Sequence, residues 1–349
     1  TSRARTDPLV HHGRHFGRSI RAFCRVYPLI RAGLSRTMQL ELGRITYRDL
    51  SVNDRKEHDV YNQLLTLSPT LEERLNRGSE QEVFYIADMI TKGASSGRSD
   101  DTKSLKSVIV DWITPANGIL SPPIQRNVKT DRGFFHPTTG ELLCPVDLDW
   151  SDPNIREELK AGTLVPSGDM WPRFLFQNGE YNPDKPWDGL LRSTLLISAY
   201  KHIFTSPSSV GRANISRATR SCNAALHGML SVSVASVAYI ATQVRFALCS
   251  TPVFSRTDKV TDSEYFYNLL VELLEDPEEK VEVSSLLAWW DRQIFPSYLT
   301  ETRTIHKNSV FARIKRQRKE IESGEGRQPT DESGVTGGSV TGGGTVESN

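Results

Sequence analysis

Apolar positions recur at alternating steps of three and four along much of this chain, the period of a helix with one buried face. Phe16, Ile20, Phe23, Tyr27, Ile30 and Leu34 form the first such stripe, with arginines on the other faces. Pro28 is expected to kink or divide that helix, because it lacks an N–H and clashes with the preceding turn. Ser51 or Asn53 can cap a helix to about Leu67, and Thr70 opens a short one closed by Gly78. The SEQE of 79–82 is a capping box for a helix through Ile90, and another helix is predicted from about Asp100 to Ile113.

The period then changes. Prolines and glycines are frequent from Thr114 to Pro186, and FFHPTTGELLCP (134–145) reads as a β-hairpin turning at Thr138-Thr139-Gly140. Asp152 caps a short helix with Pro153 in its first position and Gly162 beyond its end. Helical patterning resumes over Trp187–Phe204, which is apolar on most faces and predicts a buried central helix. Three more helices follow: one through Val234 and Leu248, one through Phe266 and Leu274 capped by Thr261, and one that starts at Asp276-Pro277 and buries Trp290. The fold class expected is mainly α, a multi-helix bundle-like core with a small β-hairpin insertion and a disordered C-terminal tail.

Four parts follow from this. Residues 1–50 form a basic amphipathic segment; 51–298 form a helical core with an irregular insertion at 114–186; 299–322 form a basic helix; 323–349 form a Gly/Ser/Thr-rich tail. The tail fits a hydrophobic fraction of only 37%, low for a compact globule.

A formal net charge of +1 conceals strong segregation. Residues 189–257 contain no Asp or Glu, whereas acids outnumber bases from Asp258 to Glu301. Buried helices account for part of that gap, since core positions seldom carry acids. They do not account for TSPSSVGRANISRATRSC (205–222), a solvated connection with hydroxyls and three arginines, Arg212, Arg217 and Arg220. Arginine forks and serine hydroxyls suit phosphate oxygens. The N-terminal stripe carries Arg18, Arg21 and Arg25, and KNSVFARIKRQRK (307–319) is basic again. The function expected is therefore a non-enzymatic nucleic-acid-associated or scaffold protein. DNA or RNA would engage these six arginines, and a protein partner would take the N-terminal helix.

Other chemistry is sparser. Asp147 and Asp149 of CPVDLDWSD would share one face of a strand, and with Asp131 or His136 can hold Mg²⁺ or Mn²⁺. This defines the alternative function, a metal-dependent phosphodiesterase or nuclease. His11 and His15 of HHGRH share a helical face, with no third ligand nearby in sequence. No phosphate-cradling glycine loop, nucleophile elbow or zinc motif is present, so no cofactor is implied. Cys24, Cys144, Cys222 and Cys249 lie far apart, usage that fits a reducing compartment, nuclear or cytoplasmic. The longest uncharged run, Ser221–Val244, is too polar for a membrane span.

Several long segments also resemble a known family: HHGRHFGRSIRA, KGASSGRSDDTKSLKSVIVDWI, GDMWPRFLF, PWDGLLRSTLLISAYKHIFTSPSSV and ATQVRFALCSTPVFSRTDKVTDSEYFYNLL. They are similar to a large group of uncharacterised proteins from mushroom-forming fungi, over roughly residues 10–296. That resemblance implies a fungal, intracellular globular protein and no specific activity.

Overall fold

In a computed structural model, the described residues are 7–68, 70–206, 210, 222–257, 262–295 and 309–322. They form α1 (Pro8–Ser19), α2 (Val26–Glu41), α3 (Val52–Thr66), α4 (Leu71–Arg77), α5 (Glu80–Ile113), α6 (Pro137–Leu143), α7 (Pro153–Ala161), α8 (Thr194–Tyr200), α9 (Asn223–Leu226), α10 (Val234–Leu248), α11 (Ser263–Leu274), α12 (Lys280–Ile294) and α13 (Val310–Glu322). One compact unit spans Thr1–Leu299; the second, Thr300–Asn349, contains α13. The mainly helical class holds. The tail expected to be disordered lies outside the described residues.

Caps set most boundaries. Asp7 accepts from the Leu9 N–H at 2.8 Å and Pro8 takes the first position of α1. Ser51 and Ser79 cap α3 and α5, while α7 has Asp152 before it, Pro153 at its start and Gly162 at φ 73° after it.

Four expectations are corrected. The stripe from Phe16 to Leu34 is not one helix, because α1 ends at Ser19 and α2 begins at Val26. Pro28 stands in the first turn of α2, where a missing N–H costs no intrahelical bond, so it helps to start a helix instead of kinking one. The helices expected at 79–90 and 100–113 are one 34-residue helix, α5. The buried helix expected over Trp187–Phe204 is shorter, with α8 starting after the Ser193 cap and widening into a π-helical turn over Lys201–Thr205.

The fourth correction is the β-hairpin. Among the described residues there is no strand, only the isolated bridges Pro145–Pro172 and Phe176–Leu190. Residues 133–143 instead make a 3-10 turn followed by α6. His136 decides this locally: its Nδ1 accepts from the Thr138 N–H at 3.1 Å and Pro137 occupies the first helical position. Thr138-Thr139-Gly140 is thus a capped helical turn, and Gly140 lies against the Trp150 ring where a side chain would clash.

The main core surrounds α10, which is buried on nearly all faces. Trp290 from α12 packs on Tyr200 from α8, and its indole N–H donates to the Leu191 carbonyl at 3.1 Å. A second apolar cluster joins α1 to α5 through residues such as Phe16, Ile30, Tyr61, Leu64 and Ile90. The full burial of α10 gives a physical reason for part of the acid-free stretch.

The α1–α5 crossing is unusually close. Gly13 and Gly17 of α1 face Gly93 and Ala94 of α5, and a Cβ on Gly93 would overlap the Val10 carbonyl oxygen. Gly13 and Gly17, four apart on α1, and the adjacent Gly93 and Ala94 on α5 permit this approach. It delivers Arg18 to Asp101, whose carboxylate also accepts from the Tyr239 hydroxyl on α10 at 2.6 Å. The guanidinium is a fork, Nε to Oδ2 at 2.8 Å and Nη2 to Oδ1 at 2.7 Å, and Arg18 is only 6% exposed.

Candidate anion pocket

The opposite side of α5 has a different character. Ser95, Arg98, Ser99, Thr102, Lys103 and Lys106 are spaced by three and four, which aligns them along the helix. They form one wall of a cavity of about 730 Å³. The other wall is the turn after α10, residues 252–257, and Phe246 and Lys129 complete the lining. Arg98, Lys103, Lys106, Lys129 and Arg256 all line it, together with hydroxyls and no acidic residue.

The acids of α5 at this level are drawn elsewhere. Asp100 pairs with Arg14 at 2.7 Å and Asp101 with Arg18 at 2.7 Å, both toward α1. One helix thereby separates its charges.

Each pocket cation has its own environment. Arg256 forks onto Glu264 through contacts of 2.9 and 2.8 Å. The Arg98 guanidinium stacks 5.5 Å from the ring centres of both Phe23 and Phe254, and burial holds its pKa below the ordinary arginine value. Lys129 is 4% exposed, with its Nζ 3.4 Å from the Phe246 ring centre and donating to the Phe246 carbonyl at 2.5 Å. Burial, with Arg132 and Lys106 nearby and partly opposed by Cys249, pushes the Lys129 amine down to about 8. Arg132 donates to the Ala247 carbonyl at 3.0 Å, so these two cations meet the last carbonyls of α10, where positive charge is favoured. Among the described residues, no carboxylate pairs with Arg98, Lys103, Lys106 or Lys129; Arg256 is paired.

Of the six arginines expected from sequence, the three within the described residues, Arg18, Arg21 and Arg25, do not line this pocket. Arg212, Arg217 and Arg220 lie outside the described residues. Arg18 is held in its buried ion pair, and Arg21 reaches Glu275 at 3.7 Å. Arg25 is exposed and lines a neighbouring, mixed-sign cavity with Glu57, Glu264, Glu272 and Glu275, which shares Arg256 with the anion pocket.

The residues of the expected metal site are also placed apart in role. Asp147 and Asp149 are exposed in a turn, not on a strand, and Asp149 accepts from the Ser151 N–H and hydroxyl, both at 2.8 Å. His136 bonds the Pro122 carbonyl at 2.7 Å through Nε2 and caps α6 through Nδ1, which uses both ring nitrogens. Asp131 has one buried oxygen without a partner among the described residues.

The HHGRH histidines gain a companion that the sequence separates by some two hundred positions. The His227 ring stacks 4.1 Å from His15 and 4.4 Å from His11, at interplanar angles of 11° and 22°. Nitrogen lone pairs lie in the ring plane, so parallel rings aim them side by side. Among the described residues no group of three His, Cys, Asp or Glu is arranged to hold a metal ion. Burial, then neighbouring Arg18, His11 and His12, lowers His15 to about 4; burial, then His15 and the other two histidines, lowers His227 to about 3.

Sequence reasoning missed the pocket although half of it is contiguous. Arg98, Ser99, Thr102, Lys103 and Lys106 stand at helical spacing inside KGASSGRSDDTKSLKSVIV. Lys129 and Phe246 reach the site only through tertiary packing.

A profile for a family of unknown function (DUF6698) matches residues 92–295, more than half of the chain. The chain belongs to that family. Every residue that lines the anion pocket falls within the matched DUF6698 region. No curated protein and no solved structure matches the chain. Among the described residues, no helix is long and apolar enough to cross a membrane.

Proposed function

We propose that this DUF6698 protein is a nucleic-acid-associated protein that holds backbone phosphates in the pocket on α5. The observation that carries the reading is the composition of that pocket: five cations and a set of hydroxyls, without an acid in its lining. Unpaired cations confined to one cavity repel one another, and an anion relieves that repulsion. Lys103 is exposed and Lys106 half-buried, so both can reach a ligand without first leaving a partner. Arg98 offers the planar fork that suits phosphate oxygens, held in place by two aromatic rings. The hydroxyls of Ser95, Ser99 and Ser255 add neutral donors. Arg212, Arg217 and Arg220 extend the reading as further phosphate contacts.

Fluorescence anisotropy with labelled DNA and RNA across a salt series tests this. The three pocket contacts, from Arg98, Lys103 and Lys106, contribute about −3 to the log–log salt slope on duplex DNA and about −2 on a single strand. Replacing Lys103 and Lys106 with Ala lowers the affinity and removes about two-thirds of that contribution. Absence of binding at low salt overturns the proposal and leaves protein–protein scaffolding.

A further inference from the structure

We propose that Lys129 is a nucleophilic amine and that the pocket accepts a phosphorylated aldehyde, which Lys129 captures as an imine. This rests on the phosphate reading of the pocket and adds a reacting atom to it. Three features converge on Lys129. It lines the cavity, yet it is 4% exposed, so its amine is shielded from bulk water. Its Nζ donates to the Phe246 carbonyl at 2.5 Å, a contact that either protonation state can make and that fixes the direction of the amine. The groups that face it are Lys106 from α5, Arg132 at the end of the turn that Lys129 opens and the Cys249 thiol after α10, with no carboxylate among the described residues to stabilise an ammonium. Burial accordingly holds the amine near 8, and a fraction of it carries a free lone pair close to neutral pH.

The reaction balances without a further reactant. The amine lone pair attacks the carbonyl carbon and a C–N bond forms. The two amine protons then leave with the carbonyl oxygen as water. Once protonated, the imine again has an N–H for the Phe246 carbonyl, so capture does not orphan the end of α10. Arg98, Lys103 and Lys106, on the facing wall, are the partners for the phosphate of the same molecule.

Pyridoxal 5′-phosphate and unphosphorylated pyridoxal are the paired probes. The full chain is incubated with each near pH 7.5, the imine is reduced with borohydride, and the modified lysine is located by peptide mass spectrometry. The expected result is modification at Lys129 ahead of the surface lysines, about tenfold or more faster with the phosphorylated probe, the factor one charge-assisted hydrogen bond supplies. Inorganic phosphate slows it. Lys129→Arg keeps a cation at the α10 carbonyls, so it loses the label while keeping its melting temperature. Labelling spread over surface lysines with Lys129 untouched overturns the nucleophile. If Lys103 or Lys106 is then still protected by phosphate, the phosphate pocket itself survives. Equal labelling of Lys129 by both probes, unaffected by phosphate, overturns the phosphorylated substrate and the phosphate pocket together, while locating a reactive amine.

Discussion

The two sides of α5 make opposite use of the same helix. Toward α1, glycines allow near-backbone contact, and each acid meets an arginine. Toward the 252–257 turn, Lys103 and Lys106 have no carboxylate partner among the described residues, and the cavity between the walls is about 730 Å³. The first side therefore contributes stability. The second side leaves charge uncompensated, which a stability-only selection would not retain, and that is the physical ground for assigning the function there.

If that division is right, substitutions on the α1 side should unfold the protein. The largest effect is expected for Asp101→Ala, which strands the buried Arg18 guanidinium and the Tyr239 hydroxyl. Removing one partner of a buried pair costs about 3–5 kcal/mol, read as a fall in the denaturant midpoint. Arg18→Met combined with Asp101→Leu should recover most of the loss, because no charge is left buried. A double variant no more stable than Asp101→Ala would show that the ion pair is not what holds this face.

The next effect separates two glycines one turn apart. Gly93→Ala drives a Cβ into the Val10 carbonyl and the backbone of Gly13, so α1 must move, at about 1–3 kcal/mol or more. Gly97→Ala places its Cβ at contact distance from Arg14, 3.3 Å from Cγ and 3.4 Å from Cα and Cβ, with nothing under 3 Å. It should be neutral or stabilising by up to about 1 kcal/mol, the helix propensity gained. Equal losses at both positions would refute the close crossing at Gly93 as the reason glycine stands there.

These positions also mark how far the sequence could be read. Helices delimited by side-chain caps were legible, as at Asp152-Pro153 and Ser79, because the cap and the helix lie within a few residues of each other. The pattern predicts separate helices on either side of 91–99; Gly93 and Gly97 there weaken a helix when only local propensity is weighed, and packing against α1 outweighs that cost. The hairpin failed for a related reason. Thr-Thr-Gly is turn chemistry in either setting, and the His136 cap with Pro137 decides for a helix. The arginine stripe was legible as charge but not as partnership: Arg18 belongs to Asp101, eighty-three positions away. Lys129 sits in a stretch without periodicity, and nothing local marks it as buried.

Acid exposes the α1 side once more, through the histidine stack. His15 is lowered to about 4 in the folded chain from an ordinary value of 6.5, so the unfolded chain binds the proton first. Folding is unaffected above about pH 6.5, and stability is then lost as pH falls from there to about 4, by up to about 1.4 kcal/mol per unit for each such proton. His227, lowered to about 3 and more exposed, adds in the same direction. Melting temperatures across pH 4–7 should show this loss, and His227→Phe, which keeps a ring in the stack without a titrating nitrogen, should flatten it. A variant with an unchanged pH profile would show that His227 does not contribute to the acid sensitivity.

The smallest stability effect belongs to the pocket side, and its smallness is the test. Lys103→Ala with Lys106→Ala removes no ion pair seen among the described residues and no buried surface of consequence, since Lys103 is exposed and Lys106 only half-buried. The change in unfolding free energy should lie within about 0.5 kcal/mol, the range of ordinary surface substitutions. A slight gain is the more informative outcome, because removing two of several like charges around Arg98 and Lys129 relieves repulsion. That gain should grow at low ionic strength, where the Debye length reaches about 30 Å, and vanish near 1 M salt, where it is about 3 Å. Inorganic phosphate should stabilise the parent chain and not the double variant. A loss of several kcal/mol would instead mean that these lysines hold the fold together, and the contrast between the two sides of α5 would collapse.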